Sequence, residues 1–139
     1  MPPSRISART PSKPRAVSLL YCPCLLVAAS DETTTITTGS AKVSFRMPYQ
    51  MTLAKVRGSL VTASTATGTN IVTVDVTHAG TSIFSTKLTF DATEATTETA
   101  ATPAVLAATT LNDDAIMTIN VDLAGGAAKG LKLALIGRQ

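Results

Sequence analysis

His78 is the only histidine in the sequence and the first side chain to consider for chemistry. Ser82 and Asp75 lie near it in the sequence, so a Ser-His-Asp triad is formally possible. The Gly-x-Ser-x-Gly pattern that places a nucleophilic serine on a sharp turn is missing. Zinc sites use several His and Cys ligands, and the sequence beyond residue 30 has no cysteine. We therefore interpret His78 as a solvated residue of a hairpin turn.

The two cysteines, Cys22 and Cys24, are separated only by Pro23. Redox and zinc pairs have two intervening residues, and a disulfide within Cys-x-Cys would be strained. No second pair is present to complete a metal site. We expect thiols without a chemical role, and a fold that depends on neither a disulfide nor a metal.

The remaining candidate motifs predict turns and surface charges. Asp113 and Asp114 do not match the spaced aspartates of a calcium loop and favour an Asx-type turn. The glycine-rich residues 125–130 lack the Gly-Lys-Ser/Thr ending of a phosphate loop. Asp75 and Asp122 each stand between two apolar residues, which predicts outward charges on strands. The sequence thus predicts no catalytic residue, no metal and no cofactor, and an enzyme is the least favoured class.

The net charge of +3 is divided unevenly along the chain. Residues 1–30 hold four basic residues and no acidic one, whereas residues 31–139 hold eight basic and nine acidic residues. Domains that bind nucleic acid concentrate several Lys and Arg side chains on folded surface. A body that carries a slight negative charge argues against a nucleic-acid partner.

Beyond residue 30, apolar and polar residues alternate in short stretches, which is the period-two pattern of half-buried strands. Val72, Val74 and Val76 are therefore predicted to point inward. The abundance of threonine suits the outward faces of a pleated sheet. The predicted strands are residues 42–47, 51–62, 70–77, 82–90, 103–107, 115–123 and 131–136.

Roughly seven to eight strands joined by turn signals predict an all-β fold, an antiparallel and jelly-roll-like β-sandwich. The second strand changes phase between Leu53 and Val56, so we expect a β-bulge near residues 54–55. Residues 78–81 are predicted to form a tight hairpin turn in which Gly80 takes a positive φ.

Residues 1–30 differ from the rest and are separated from a single sandwich domain over residues 31–139. Five of the seven prolines fall in the first 24 residues, and an apolar stretch follows. Three interpretations remain open: a secretory signal, an extended arm that docks on a partner chain, or a segment outside the natural folded unit. The apolar stretch is shorter than the ~20 residues of a membrane span, so no membrane is expected. As a docking arm, the segment would use Leu19, Leu20, Tyr21, Leu25 and Leu26.

Three motifs in the body carry a family resemblance. They are Lys-Val-x-Phe-Arg-x-Pro-Tyr at residues 42–49, Ile-Phe-Ser-Thr-Lys-Leu-Thr-Phe at residues 83–90, and Lys-Gly-Leu-Lys at residues 129–132. Over about residues 26–139 the chain resembles a family of small phage virion structural proteins that are commonly labelled tail fibre proteins. His78 departs from the family, whose members usually have an acidic residue or Asn before the turn glycine.

The resemblance implies a protein of the virion surface that forms homotrimers and contacts other virion proteins. As an adhesive fibre or knob, it would bind a host-surface glycan through loops at one end of the sandwich. The candidate residues are Thr67, Thr69, His78 and Thr81. The alternative is a capsid head decoration protein that stabilises the head, with the N-terminal arm docked on capsid subunits. A secreted bacterial β-sandwich domain, with residues 1–29 as its signal, is the third hypothesis.

Overall fold

The computed structural model describes residues 23–139, which form eleven strands and no helix. Leu19, Leu20 and Tyr21 of the predicted docking arm lie outside the described residues. In chain order the strands are β1 (Cys24–Ala28), β2 (Gly39–Arg46), β3 (Met51–Ser59), β4 (Val72–His78), β5 (Thr81–Ser82), β6 (Phe84–Thr86), β7 (Leu88–Phe90), β8 (Val105–Leu106), β9 (Thr110–Leu111), β10 (Ile116–Leu123) and β11 (Lys132–Arg138).

The strand pairing is nested around one hairpin. β4 pairs with β5, β3 with β9, β2 with β10, and β1 with β11, and all four pairs are antiparallel. One sheet has the order β1-β11-β3-β9, and the other has the order β2-β10-β4-β5, with β7 also beside β4. If β5–β7 count as one interrupted strand and β8–β9 as another, this is the eight-strand order of a jelly roll. The predicted antiparallel, jelly-roll-like sandwich is confirmed.

The core lies between the two sheets and follows the period-two pattern. Val72, Val74 and Val76 of β4 are buried, as are alternate residues of β10 and β11. Because these strands occupy the middle of their sheets, each inward side chain packs against the opposite sheet and is shielded on both sides. The inward residues of the two later strands are Met117, Ile119, Val121, Leu133 and Leu135.

The predicted bulge in the second long strand is confirmed at Ala54. Ile136 of β11 faces Lys55, and Gly137 faces Leu53, which leaves Ala54 without a partner. The extra residue returns the strand to phase, so that apolar residues on both sides of the bulge reach the core. The hairpin prediction is also confirmed: Ala79 and Gly80 both have positive φ, as a two-residue type I′ turn requires.

The boundary predicted between residues 30 and 31 is wrong, because the sheet begins at Cys24. β1 pairs with β11 along its whole length, from Cys24 opposite Ile136 to Ala28 opposite Lys132. Leu25 and Leu26 are therefore strand residues of the domain and not parts of a docking arm. Leu25 packs against the core and Leu26 faces outward, which is the alternation of a strand at a sheet edge.

The predicted strand over residues 82–90 is interrupted. Ile83 and Phe84 are both buried, so the alternation fails there and the chain divides into β5, β6 and β7. β6 pairs with β8 and β7 pairs with β4. The segment therefore bends from one sheet edge across the side of the sandwich. Within residues 23–139 no helix is long and apolar enough to cross a membrane.

A pair of truncated chains tests the corrected boundary. A chain that begins at Asp31 lacks β1, so β11 loses its pairing with β1 and the core loses the cover of Leu25 and Val27. We expect it to be less stable than a chain that begins at Pro23 by about 2–4 kcal/mol, from the lost apolar burial and ladder hydrogen bonds. Urea unfolding of both chains measures the difference. Equal midpoints would show that β1 does not stabilise the domain.

Candidate functional site

The structure divides the four predicted ligand-binding residues between two ends of the sandwich. Thr67 and Thr69 precede β4, whereas His78 ends this strand and Thr81 follows the turn. The seven residues of β4 separate the two groups by about 20 Å. The three threonines are exposed and His78 is half-buried. A single ligand surface that combines all four residues is therefore ruled out.

The end that carries His78 also carries both ends of the described chain. The backbone N–H of Asn112 donates to His78 Nε2 at 3.2 Å, and Leu111 pairs with Met51 at the start of β3. At that same end of the sheet Thr52 pairs with Arg138, and the Gly137 N–H donates to the Pro23 carbonyl at 3.2 Å. We call this the terminal end.

At the opposite end, three connections, residues 29–38, 60–71 and 124–131, form a surface that we call the loop end, beside the connection that follows β7. Val61 and Thr62 donate their N–H groups to the Lys129 carbonyl, at 2.9 and 3.1 Å. Ile36 donates to the Ala128 carbonyl at 2.8 Å, and Ala29 donates to the Leu131 carbonyl at 2.8 Å. The third connection therefore holds the other two, and the loop end is one hydrogen-bonded surface.

Ser64 is the central contact of the loop end. Its side chain is only 1% exposed, and its Oγ accepts the N–H of Ala66 at 3.0 Å and of Gly126 at 2.8 Å. Gly125 lies directly against it, because a Cβ on this residue would come within 2.9 Å of the Ser64 Cβ. Ser64 is not recognisable from the sequence, since a serine inside a Thr/Ala/Gly loop gives no pattern that distinguishes a buried hydroxyl from a solvated one.

Asp31 organises the first connection of the loop end. Its Oδ1 accepts the N–H of Thr34 at 2.6 Å, and the N–H and hydroxyl of Thr33 at 2.8 and 3.0 Å. These hydrogen bonds, first that from the Thr34 backbone, lower the pKa of Asp31 to about 2 from its ordinary 3.8. Behind this turn lies an open cavity of about 210 Å³, and Lys42 at its edge donates to the Thr37 hydroxyl at 2.7 Å.

The loop end offers hydroxyl groups to the solvent. Thr67, Gly68, Thr69 and Asn70 form an exposed tip, and further exposed threonines lie in the neighbouring connections. These hydroxyls donate and accept hydrogen bonds without carrying charge. The exposed threonines of the three connections are Thr33, Thr34, Thr35, Thr37, Thr38, Thr62, Thr65, Thr67 and Thr69.

The formal Ser-His-Asp triad is not assembled. The Ser82 hydroxyl donates to Asp75 Oδ1, while the Nε2 of His78 accepts a backbone N–H and faces neither group. The side chain of Asp75 points away from the core, as predicted, but it is not a surface charge. The segment containing Ser82 and Lys87 covers it, and the residue is only 6% exposed.

Lys87 compensates the buried charge of Asp75. Its Nζ lies 3.5 Å from Asp75 Oδ2 and also bonds Asp122, whose side chain is about one-third exposed. The hydrogen bond to Asp122, followed by the charge of Asp75, raises the pKa of Lys87. A lysine held in its charged form is a poor general base, so the cluster serves to fix the β5–β7 segment on the outer face of β4 and β10.

Three further acidic residues, Glu98, Asp114 and Asp91, bind neighbouring side chains or backbone. Glu98 pairs with Lys55 at 2.5 Å and with Arg57 at 3.3 Å, and Asp114 pairs with Arg46 at 3.4 Å. Asp91 accepts the Ala101 N–H at 2.7 Å. Within residues 23–139 no group of three or more His, Cys, Asp or Glu side chains is placed to hold a metal ion.

No family model, no curated protein and no solved structure matches the chain. The resemblance to phage virion proteins therefore rests on the sequence motifs quoted above, and the jelly-roll assignment rests on the strand pairing itself.

Replacement of Ser64 tests the central contact. Ser64→Ala removes the acceptor of two N–H groups in a buried place, so we expect the free energy of unfolding to fall by about 1–3 kcal/mol. Thr67→Ala in the same loop is the matched control, since its exposed hydroxyl makes no comparable contact and should change stability by less than about 0.5 kcal/mol. Urea unfolding measures both, and equal effects would contradict this role of Ser64.

The hydrogen bonds of Asp31 predict how the stability of the protein depends on pH. Because its pKa is lowered from 3.8 to about 2 in the folded protein, the turn contributes stability above pH 3.8 and loses it as the pH falls through about 2. We expect an NMR titration of the folded chain to give a carboxyl pKa for Asp31 near 2. A folded-state value near 3.8 would contradict the observed hydrogen bonds.

Proposed function

We propose that the protein is a structural subunit of a phage particle that attaches through its terminal end and presents its loop end for adhesion to the host surface. The polarity of the sandwich is the observation that carries this proposal. The chain enters β1 and leaves β11 at one end, and the loop end lies a full strand length away. The motifs shared with phage virion proteins support the particle as the setting.

The chemistry of the loop end favours a carbohydrate ligand. Glycan hydroxyls exchange hydrogen bonds with threonine hydroxyls and with the Asn70 amide, and no charged group has to be desolvated at the tip. The sequence has no Trp, so stacking on sugar rings contributes little. Such contacts are weak for each subunit, and several copies on one particle would strengthen adhesion through avidity.

The four candidate residues lie at opposite ends of β4, so only two of them can belong to the adhesive surface. Thr67 and Thr69 belong to the proposed adhesive surface, because they lie at the tip of the loop end. His78 and Thr81 belong to the terminal end, beside Pro23 and the last strand, and we assign them to the side that faces the particle.

A capsid head decoration protein is the alternative function. It requires docking through the terminal end, which the same polarity permits. Of the arm residues expected to dock, Leu25 and Leu26 belong to the sheet, so the docking contacts would come from elsewhere at the terminal end. An adhesive protein needs a ligand-binding surface at its loop end, whereas a decoration protein does not. An experiment that tests for this surface therefore distinguishes the two functions.

Competition for adsorption tests the adhesive function. Purified full-length protein, added in excess, should reduce adsorption of the phage that carries it to host cells. We expect the double variant Thr67→Ala/Thr69→Ala to compete at least fivefold less well, because it removes two hydroxyls from the tip. Thr81→Ala removes an exposed hydroxyl at the terminal end and should compete as the parent does.

Two results would contradict adhesion. One is that the parent protein does not compete at all, and the other is that antibodies against it label the heads of intact particles and not the tails. Head labelling would favour the decoration protein, while absence of label on any particle would contradict both functions.

A further inference from the structure

The edge strands of residues 23–139 differ in how they are protected against pairing with another chain. Five of them, β5 to β9, have two or three residues each, which is too short to template a long ladder. β2 is longer, but it carries two charged side chains, Lys42 and Arg46. The positive φ of Ala41 also bends this strand, so its edge is not straight. β1 has none of these devices. It contains five uncharged residues without a bulge or an internal proline.

The main-chain groups on the open side of β1 follow from its pairing with β11. The Pro23 carbonyl accepts the Gly137 N–H, and the Ala29 N–H donates to the Leu131 carbonyl. Main-chain groups alternate in direction along a strand. Between Pro23 and Ala29, the N–H and C=O groups of the even-numbered residues therefore point away from β11. The N–H and C=O groups of Cys24, Leu26 and Ala28 therefore face the open edge, without a partner among the described residues.

We propose that β1 pairs antiparallel with β1 of a second copy of this chain, around a two-fold axis at Leu26. The three outward-facing residues are spaced symmetrically about Leu26. In this register Leu26 faces Leu26 of the second copy, and Cys24 faces Ala28 of the second copy on both sides. Each of these pairs exchanges two hydrogen bonds, so one rotation satisfies every outward main-chain group of the strand. The two four-stranded sheets join into one continuous sheet.

The side chains of β1 suit the same partner. Leu26 is 66% exposed, the highest exposure of any large apolar residue described, and pairing places it against its own copy. On the inner face Leu25 and Val27 pack on the core but are only partly buried, so the second copy would cover their open side. No charge lies on the strand, and two identical strands therefore meet without repulsion.

The mass of the full-length protein in solution tests the pairing. Light scattering should give twice the chain mass of 14.3 kDa, and not the homotrimer that the family resemblance implies. Leu26→Pro removes an N–H that points away from β11, so it blocks the edge and leaves the ladder with β11 intact. Leu26→Lys places a charge on the axis. Both variants should give the monomer mass, with the parent's circular dichroism spectrum. Ile116→Lys changes an exposed apolar residue in the middle of the other sheet and should stay dimeric.

A disulfide tests the register. In a chain with Cys22→Ser and Cys24→Ser, the variant Leu26→Cys places the new thiol opposite its own copy, at the Cα separation that a disulfide bridges. Mild oxidation should convert most of it to a covalent dimer on a non-reducing gel, while Ile116→Cys in the same background should form no covalent dimer. A monomeric or trimeric parent would overturn the proposal, and so would a Leu26→Cys variant that remains uncrosslinked. A monomeric parent unaffected by Leu26→Pro is also the result expected if residues 1–22 of the same chain cover β1.

Discussion

The pairing of β11 with β1 on one side and β3 on the other is the contact on which its sheet depends. Along the sequence β11 lies about a hundred residues after β1 and about eighty after β3, so the pairing forms only when the chain has folded back on itself. The nested strand order lowers the entropy cost of this long-range pairing, since each pair that forms outside the β4–β5 hairpin brings the strands of the next pair closer. The Ala79–Gly80 turn is therefore a local feature with a global effect: it sets which strands can meet.

Much of this fold could be predicted because its signals are local. Alternation is visible in the sequence wherever one face of a strand is buried, as in Val72, Val74 and Val76. The phase change around Ala54 required an extra residue because apolar side chains on both sides had to reach the same core. The jelly-roll order itself is less local, and only the number and spacing of the strands indicated it.

The errors arise where distant segments decide the environment of a residue. Asp75 has the pattern of an outward charge, but the β5–β7 segment folds over it and supplies Ser82 and Lys87 as partners. Ser64 is buried because residues 124–131 close over its loop, and nothing near it in sequence shows this. Residues 24–28 are hard to separate from the apolar stretch before them in the sequence, because their alternation is short and their partner strand is the last in the chain.

The polarity of the sandwich and its unprotected edge place different demands on an assembly. Sequences that avoid association shorten, bend or charge their edge strands, and every other edge described here does so. β1 runs along the side of the sandwich between its two ends, so pairing at this edge covers neither the loop end nor the terminal end. Two joined copies would present their loop ends in opposite directions, because antiparallel pairing reverses the second copy. A particle that displays the loop ends of both copies therefore has to bind the dimer from its side. A particle that displays the loop end of one copy has to separate the two copies.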